Sequence, residues 1–471
     1  MPEKRFGKPQ NDRPQTKKFG RGKASPARLE ALAALREIRE KDAYAQDVLE
    51  HSVDVSSMSS EDRAFATKLV LGVVSCSGTL DEVLNQLLDK PDQMSADVRD
   101  ALRISAYELL FLDKSPHAAV DQGVELVRSV TPAAAGLANA VLRKIVRIRS
   151  GFPFGDPHTD LRALARLYAF PEWLAKLLIA DLGPNEAIEF MRLSNEQAPL
   201  FVGVNTIRCS DTILQNTFHR LDETIDQVYF NGNPIPGCYR VADTRALLLR
   251  GVKRMLTSGR IVVSDAASQL VASSVLGENE PQSFLEIGAG RATKTILLQS
   301  NAMRRYGHQL ENYTTVDNRH FKTKLLRERI AQYGVEVKDA LTADALHLKD
   351  FLDEKQYDTI FIDAPCSGLG TLRRHPEIRW KITPQDIKTY ASTQLDMLKS
   401  AAPFVADGGS LVYATCTVTH AENNGVVKAF LESEEGANFS LAPINGASCI
   451  ATRLTQGSMD AHFAVRFIKR G

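Results

Sequence analysis

The chain has 471 residues, too many for one ordinary hydrophobic core, and with 44% hydrophobic and 24% charged residues it reads as a globular protein of two or three domains. A formal net charge of +1 gives no overall electrostatic reason to expect a nucleic-acid partner, and six cysteines without CxxC or Cys/His spacing argue against a disulfide framework and a structural zinc site. The polar N-terminus lacks the apolar stretch of a signal peptide and no run is read as spanning a bilayer, so a cytoplasmic protein with no membrane and no metal is expected.

Residues 1–24 form a basic Gly/Pro-rich tail, with eight Lys and Arg against Glu3 and Asp12 through residue 23. This composition reads equally as a solvated disordered tail and as an arm attracted to RNA. Ser25-Pro26 then offers an N-cap and a first-turn proline. Apolar residues recur at helical spacing from Leu29, Leu32 and Leu35 through Phe65, Leu69 and Val73, Leu80 to Leu88, Leu102 to Phe111, Val120, Val124 and Val127, and Ala138 to Ile145. Residues 25–150 are therefore expected to be an all-α domain. GFPFGDPHTD (151–160) marks a boundary, and 151–255 reads as helix followed by a small α/β unit. From 256 to 471 apolar strands alternate with helical stretches: IVVSD, SFLEIGAG, YTTVD, YDTIFIDAPC, GSLVYATC and HFAVRFIK. That alternation predicts a doubly wound, mostly parallel sheet with its ligands at the carboxyl ends of the strands.

The chemistry-bearing motifs fall at those ends. FLEIGAGRATKT (284–295) is a strand, a turn containing Gly288, Ala289 and Gly290, and a helix start through Arg291, Ala292, Thr293 and Lys294, suited to close backbone approach to a ligand. Asp317 ends the next strand, where a carboxylate can accept from a ribose, and Asp344 lies in the turn LTADAL. Two cysteines follow apolar strands: Cys366 in DAPCSGLGTLRRHPEIRW and Cys416 in LVYATCTVTHAENN. Taken singly, each cysteine reads as a small buried hydrophobe. Arg373, Arg374, His375 and Arg379 read either as phosphate contacts or as a solvated face.

From about Ser25 to the C-terminus these motifs resemble the RNA cytosine-5 methyltransferases of the Sun/RsmB (Nop2/Sun) family. EDRAFATKLVLGVV, ALRISAYELLFLDKSPHAAVDQGVELV and GLANAVLRKIV resemble the NusB-like domain at the N-terminus of its ribosomal RNA branch. The resemblance implies a multidomain fold: an all-α NusB-like domain, a small α/β connecting domain that helps bind RNA, and an α/β doubly wound class I (Rossmann-like) methyltransferase domain. It implies S-adenosylmethionine as cofactor, bound through Gly288 to Lys294, Asp317, Asp344 and Asp363. The family's loop usually reads CAAPGGKT, whereas this chain has GAGRATKT, with Arg291, Ala292 and Thr293 in place of proline and two glycines.

Methylating carbon 5 of cytosine becomes feasible when a thiolate adds at carbon 6 and makes carbon 5 electron-rich. Spacing alone leaves open which cysteine attacks, since the Pro-Cys pair also resembles DNA cytosine-5 methyltransferases. The resemblance to the RNA family makes Cys416 the nucleophile, Cys366 the residue that assists release, and Asp363 the carboxyl group at ring nitrogen 3. It also implies a monomer acting on RNA, with 16S ribosomal RNA the expected substrate. A transfer RNA enzyme and a noncatalytic RNA-binding or assembly protein with a degenerate cofactor loop are the alternatives.

Overall fold

The computed structural model describes residues 23–52, 58–112, 114–352, 356–455 and 458–471; the basic tail through residue 22 lies outside them. The chain divides into two compact units at Phe154/Gly155.

The first unit is helical, with helices Pro26–Lys41, Ala45–Ser52, Ser60–Leu87, Ala96–Leu110, Pro116–Val130 and Ala135–Ile148. Ser25 holds the first N-cap position, but its hydroxyl does not cap; it accepts instead from Arg28 Nη1, while its amide donates to Gln122. The predicted stripes bury Leu32, Leu35, Leu69, Val73, Leu80, Leu84, Leu102, Leu142 and Ile145. Each such aliphatic side chain contributes about 1.5–3 kcal/mol on burial. Leu29 stays exposed, and Pro116–Val130 buries Ala119, Gly123, Leu126 and Val127 in place of the predicted Val120 and Val124. Gly123 is buried because a Cβ there would lie 2.3 Å from the Ser105 hydroxyl, so close packing selects its face. One reading of the sequence is corrected: by length and composition alone, Ser60–Leu87 is apolar enough to cross a membrane. Its apolar residues Leu69, Val70, Val73, Leu80, Val83 and Leu84 are spent on the bundle's own core.

The second unit opens with helices Leu161–Tyr168, Glu172–Leu182 and Pro184–Leu193. Four strands follow: β1 (Leu200–Val204), β2 (Ile225–Phe230), β3 (Asn233–Val241) and β4 (Ile261–Val263), an antiparallel sheet in the order β2-β3-β1-β4. IVVSD was expected to begin the alternating pattern, yet as β4 it pairs antiparallel with β1, Val202 opposite Val263.

The large sheet holds β5 (Phe284–Ile287), β6 (Tyr313–Asp317), β7 (Asp339–Thr342), β8 (Tyr357–Asp363), β9 (Val405–Thr415), β10 (Phe439–Ala442), β11 (Ile450–Ala451) and β12 (Phe463–Lys469). Its order is β10-β12-β9-β8-β5-β6-β7, with β11 beside β12. Pairing is parallel from β7 through β9 and antiparallel at β12. The chain runs outward from β5 through β6 to β7 and then returns to β8 on the other side of β5. The carboxyl ends of β5 and β8 therefore flank the switch point, where an open α/β sheet leaves a crevice for a ligand. Apolar cores cover both faces, one built around Phe284, Leu298 and Phe361, the other around Leu285, Ile362 and Phe430. This is the doubly wound arrangement the alternating pattern predicted.

Candidate active site

At the end of β5 the backbone turns through Gly288 (φ 86°) and Gly290 (φ 54°). A Cβ on Gly288 would lie 2.3 Å from the Asp363 carbonyl oxygen, so only glycine lets the β5 and β8 ends approach this closely. Ala292 also has positive φ, 62°, at the position where the family loop has a glycine. Arg329 braces this turn by donating to the Arg291 carbonyl (2.7 Å) and Thr293 Oγ1 (3.2 Å). The helix Thr293–Tyr306 then starts immediately.

Asp317, nearly buried at the end of β6, accepts from the Gly290 amide on Oδ2 (3.0 Å) and from the Arg319 amide on Oδ1 (3.0 Å). An ionised carboxylate has about four lone-pair sites, so acceptors remain for a sugar diol. Asp344 is exposed just beyond β7 and caps its own turn by accepting from the Leu346 amide (3.0 Å). The glycine turn, the helix start and the spare acceptors of Asp317 fit a nucleoside-bearing cofactor.

Lys294 lies in the first turn of the helix Thr293–Tyr306 and pairs with Asp363, another of the expected cofactor residues. Its ammonium donates to Asp363 Oδ2 (2.7 Å) at the end of β8. Burial disfavours the charge on Lys294, but the charge and hydrogen bond of Asp363, with the charges of Cys416 and Glu286, hold its pKa above the ordinary value. Beneath it Glu286 is fully buried on β5 and accepts from Thr295 Oγ1 (2.6 Å) and Tyr313 Oη (2.8 Å). Burial raises the Glu286 pKa to about 7.

β8 and β9 run parallel with Asp363 opposite Ala414, so the loops that follow them emerge side by side. The fold brings Cys366 and Cys416 to an Sγ–Sγ distance of 3.2 Å, and the Cys416 amide donates to Cys366 Sγ (3.3 Å). Both are free thiols, half-buried. The hydrogen bond with Cys416, burial, and the charges of Cys416 and Glu422 push the Cys366 thiol well above its ordinary range.

Glu422, fully buried, ties the two loops together. Its carboxylate accepts from the Ser367 amide (2.7 Å) and hydroxyl (2.6 Å), from Thr419 Oγ1 (2.8 Å), and from Gln394 Nε2 (3.2 Å). Thr417 keeps its hydroxyl 2.7 Å from that of Ser367.

The arginines of the same segment are not a phosphate-binding face. Arg373 and Arg374 pair with Asp460 and Arg374 also with Asp265, and Arg379 is fully buried over the Phe170 ring with its guanidinium donating to Ser194 O and Asn195 Oδ1. Among the described residues no group of three or more His, Cys, Asp or Glu is placed to hold a metal ion.

The sheet order, the glycine turn at its switch point and the acids ending β6 and β8 define a class I, Rossmann-like methyltransferase. The family model described as 16S rRNA methyltransferase RsmB/F matches residues 273–466, and that of the NusB family matches 25–147. The "Probable ribosomal RNA small subunit methyltransferase B" of Synechocystis sp. is 30% identical over 87% of this chain and 90% of its own length. The protein of the same name from Bacillus subtilis is 29% identical over 85% of this chain and 87% of its own length. The crystal structure of PH0851 superposes with a TM-score of 0.77 at 22% identity, covering 94% of this chain and 99% of that one. The chain belongs to the RsmB/F family of RNA methyltransferases with an N-terminal NusB domain, and its cofactor is S-adenosylmethionine.

Proposed function

We propose that the protein methylates carbon 5 of a cytosine in 16S ribosomal RNA through a covalent cysteine–cytosine intermediate. The observation that carries this reading is the pair of free thiols 3.2 Å apart beside the Lys294–Asp363 ion pair. S-adenosylmethionine supplies an electrophilic methyl group; Gly288 to Lys294, Asp317 and Asp344 are the residues assigned to hold it, with Asp363 at the border with the base.

Cys416 adds its sulfur to carbon 6, and the pyrimidine's electrons move toward carbon 5 and the ring nitrogen. The Cys416 thiol proton passes to nitrogen 3 by way of Asp363, which Lys294 holds in place, so the addition does not create an unpaired anion in a half-buried site. With carbon 5 carrying the new methyl group, loss of its proton and cleavage of the S–C6 bond restore aromaticity. At release Cys366, a high-pKa thiol hydrogen-bonded to Cys416, gives its S–H proton to the departing sulfur and takes up the carbon 5 proton in its place. The choice of Cys416 as nucleophile follows the resemblance to the RNA family. The division of labour we assign is 25–150 and 151–255 to RNA engagement and 256–471 to chemistry.

Bisulfite sequencing of ribosomal and transfer RNA from cells with and without the gene tests this directly. Loss of one 16S cytosine signal is the expected result. Loss confined to transfer RNA would move the substrate, and no change in either RNA would overturn the activity.

A further inference from the structure

His462 immediately precedes β12, whose antiparallel register with β9 sets Phe463 opposite Thr415. Next beyond this last pair come Cys416 on one side and His462 on the other. Its main chain is pinned there: the His462 amide donates to Thr452 Oγ1 (2.7 Å), and the Thr452 amide donates to the His462 carbonyl (2.9 Å). Its neighbour Ala461 donates to the Gly370 carbonyl (3.1 Å), and the Gly370 amide donates to the Cys416 carbonyl (2.9 Å), so the loop after β8 joins both sides.

The ring is only 6% exposed. Among the described residues the hydrogen bonds of His462 are those of its main chain, and Nδ1 is buried with no partner. The charges acting on the ring are those of Lys294, Asp265, Asp363 and Arg374, which places it within electrostatic reach of the site's own ion pair. Burial first, then Lys294, lowers its pKa to about 4, so the ring is neutral near pH 7.

A phenyl ring would fill this place without a polar atom to satisfy. A buried polar group left unpaired by the protein is a cost to stability, which a role in function would explain. We propose that His462 is a substrate-contacting residue: its neutral imidazole hydrogen-bonds the pyrimidine held over Cys416. This rests on the proposed function. A neutral ring able both to donate and to accept suits a cytosine edge, and it adds no cation to repel Lys294.

The test compares wild type, His462→Phe and His462→Gln on 16S ribosomal RNA with tritiated S-adenosylmethionine. His462→Phe should lower kcat/KM for RNA about tenfold, leave cofactor Kd within about twofold, and leave Tm at or above that of wild type. His462→Gln should recover most of the loss. Wild-type kcat/KM in His462→Phe, an equal fall in cofactor affinity, or no rescue by Gln would overturn the inference. A wild-type enzyme that modifies no cytosine would fail the proposed function, and the inference with it; an active wild type with an indifferent Phe variant removes the inference alone.

Discussion

Ser367 donates both its amide and its hydroxyl to Glu422, although 55 positions separate them in the chain. Ser367 follows Cys366, and Thr417, which follows Cys416, shares the same carboxylate at 3.3 Å. One buried acid therefore sets the spacing of two thiols carried by different loops. Only an acceptor on both oxygens can serve these donors, and an amide would turn an N–H₂ group toward some of them.

Glu422→Gln should accordingly lose about 1–3 kcal/mol of stability, the usual cost of an unsatisfied buried group. Its kcat should fall at least tenfold while cofactor affinity, set at the β5 and β6 ends, changes little. Urea unfolding combined with calorimetric titration of S-adenosylmethionine would check this. An enzyme with full activity and spread thiols would show that the spacing is not needed.

The two cysteines should fail in different ways. Cys416→Ala is expected to abolish both methyl transfer and any covalent complex with RNA. Cys366→Ala should let the adduct accumulate, because attack remains possible while release is impaired. Denaturing gels of each variant with RNA substrate separate the cases, and the reverse pattern would make Cys366 the nucleophile.

Much of the large sheet was legible because its strands are short apolar runs ending in Gly, Asp or Cys, a local signal. Sheet membership was not: Ile261–Val263 reads like the other strands, and only its pairing with β1, far back in the chain, assigns it to the small sheet. Arg379 looked like surface because its partners Ser194 and Asn195 lie more than 180 positions away. Glu286 escaped notice as a site neighbour because a strand glutamate reads as solvent-facing until the layers above and below it are known. Lys294 was placed on the cofactor loop by sequence, while its ion pair with Asp363 depends on β5 and β8 lying side by side in the sheet.

Ala292 carries a side chain at φ 62°, a left-handed conformation costing an L-residue about 1–2 kcal/mol. Glycine there would relieve that strain while adding about 0.4–1 kcal/mol of unfolded-state entropy. Ala292→Gly should therefore raise stability by up to about 1.6 kcal/mol, the difference between these two effects, seen as a rise in Tm. An unchanged or lower Tm would mean that the buried methyl of Ala292 contributes more by packing than its backbone costs.

Two buried groups should shape stability against pH in opposite directions. Glu286 has its pKa raised by burial to about 7 from 4.5, so the folded state holds its proton after the unfolded chain has released it. Its contribution is fully present below pH 4.5 and is lost as pH rises through 7. His462 has its pKa lowered by burial to about 4 from 6.5, so its contribution is present above pH 6.5 and is lost as pH falls toward 4. Glu286→Gln mimics the protonated acid and still offers an oxygen to Thr295 and Tyr313. It should therefore remove the loss on the alkaline side, a difference of a few kcal/mol at about 1.4 kcal/mol per pKa unit, without changing the loss on the acid side. His462→Phe should do the converse. Urea unfolding at pH 5 and at pH 8 for the three proteins reads both slopes. A Glu286→Gln variant that weakens at pH 8 as steeply as wild type would mean that the ionised carboxylate is solvated or paired in the folded protein, contrary to its complete burial between β5, Tyr313 and the helix that carries Lys294.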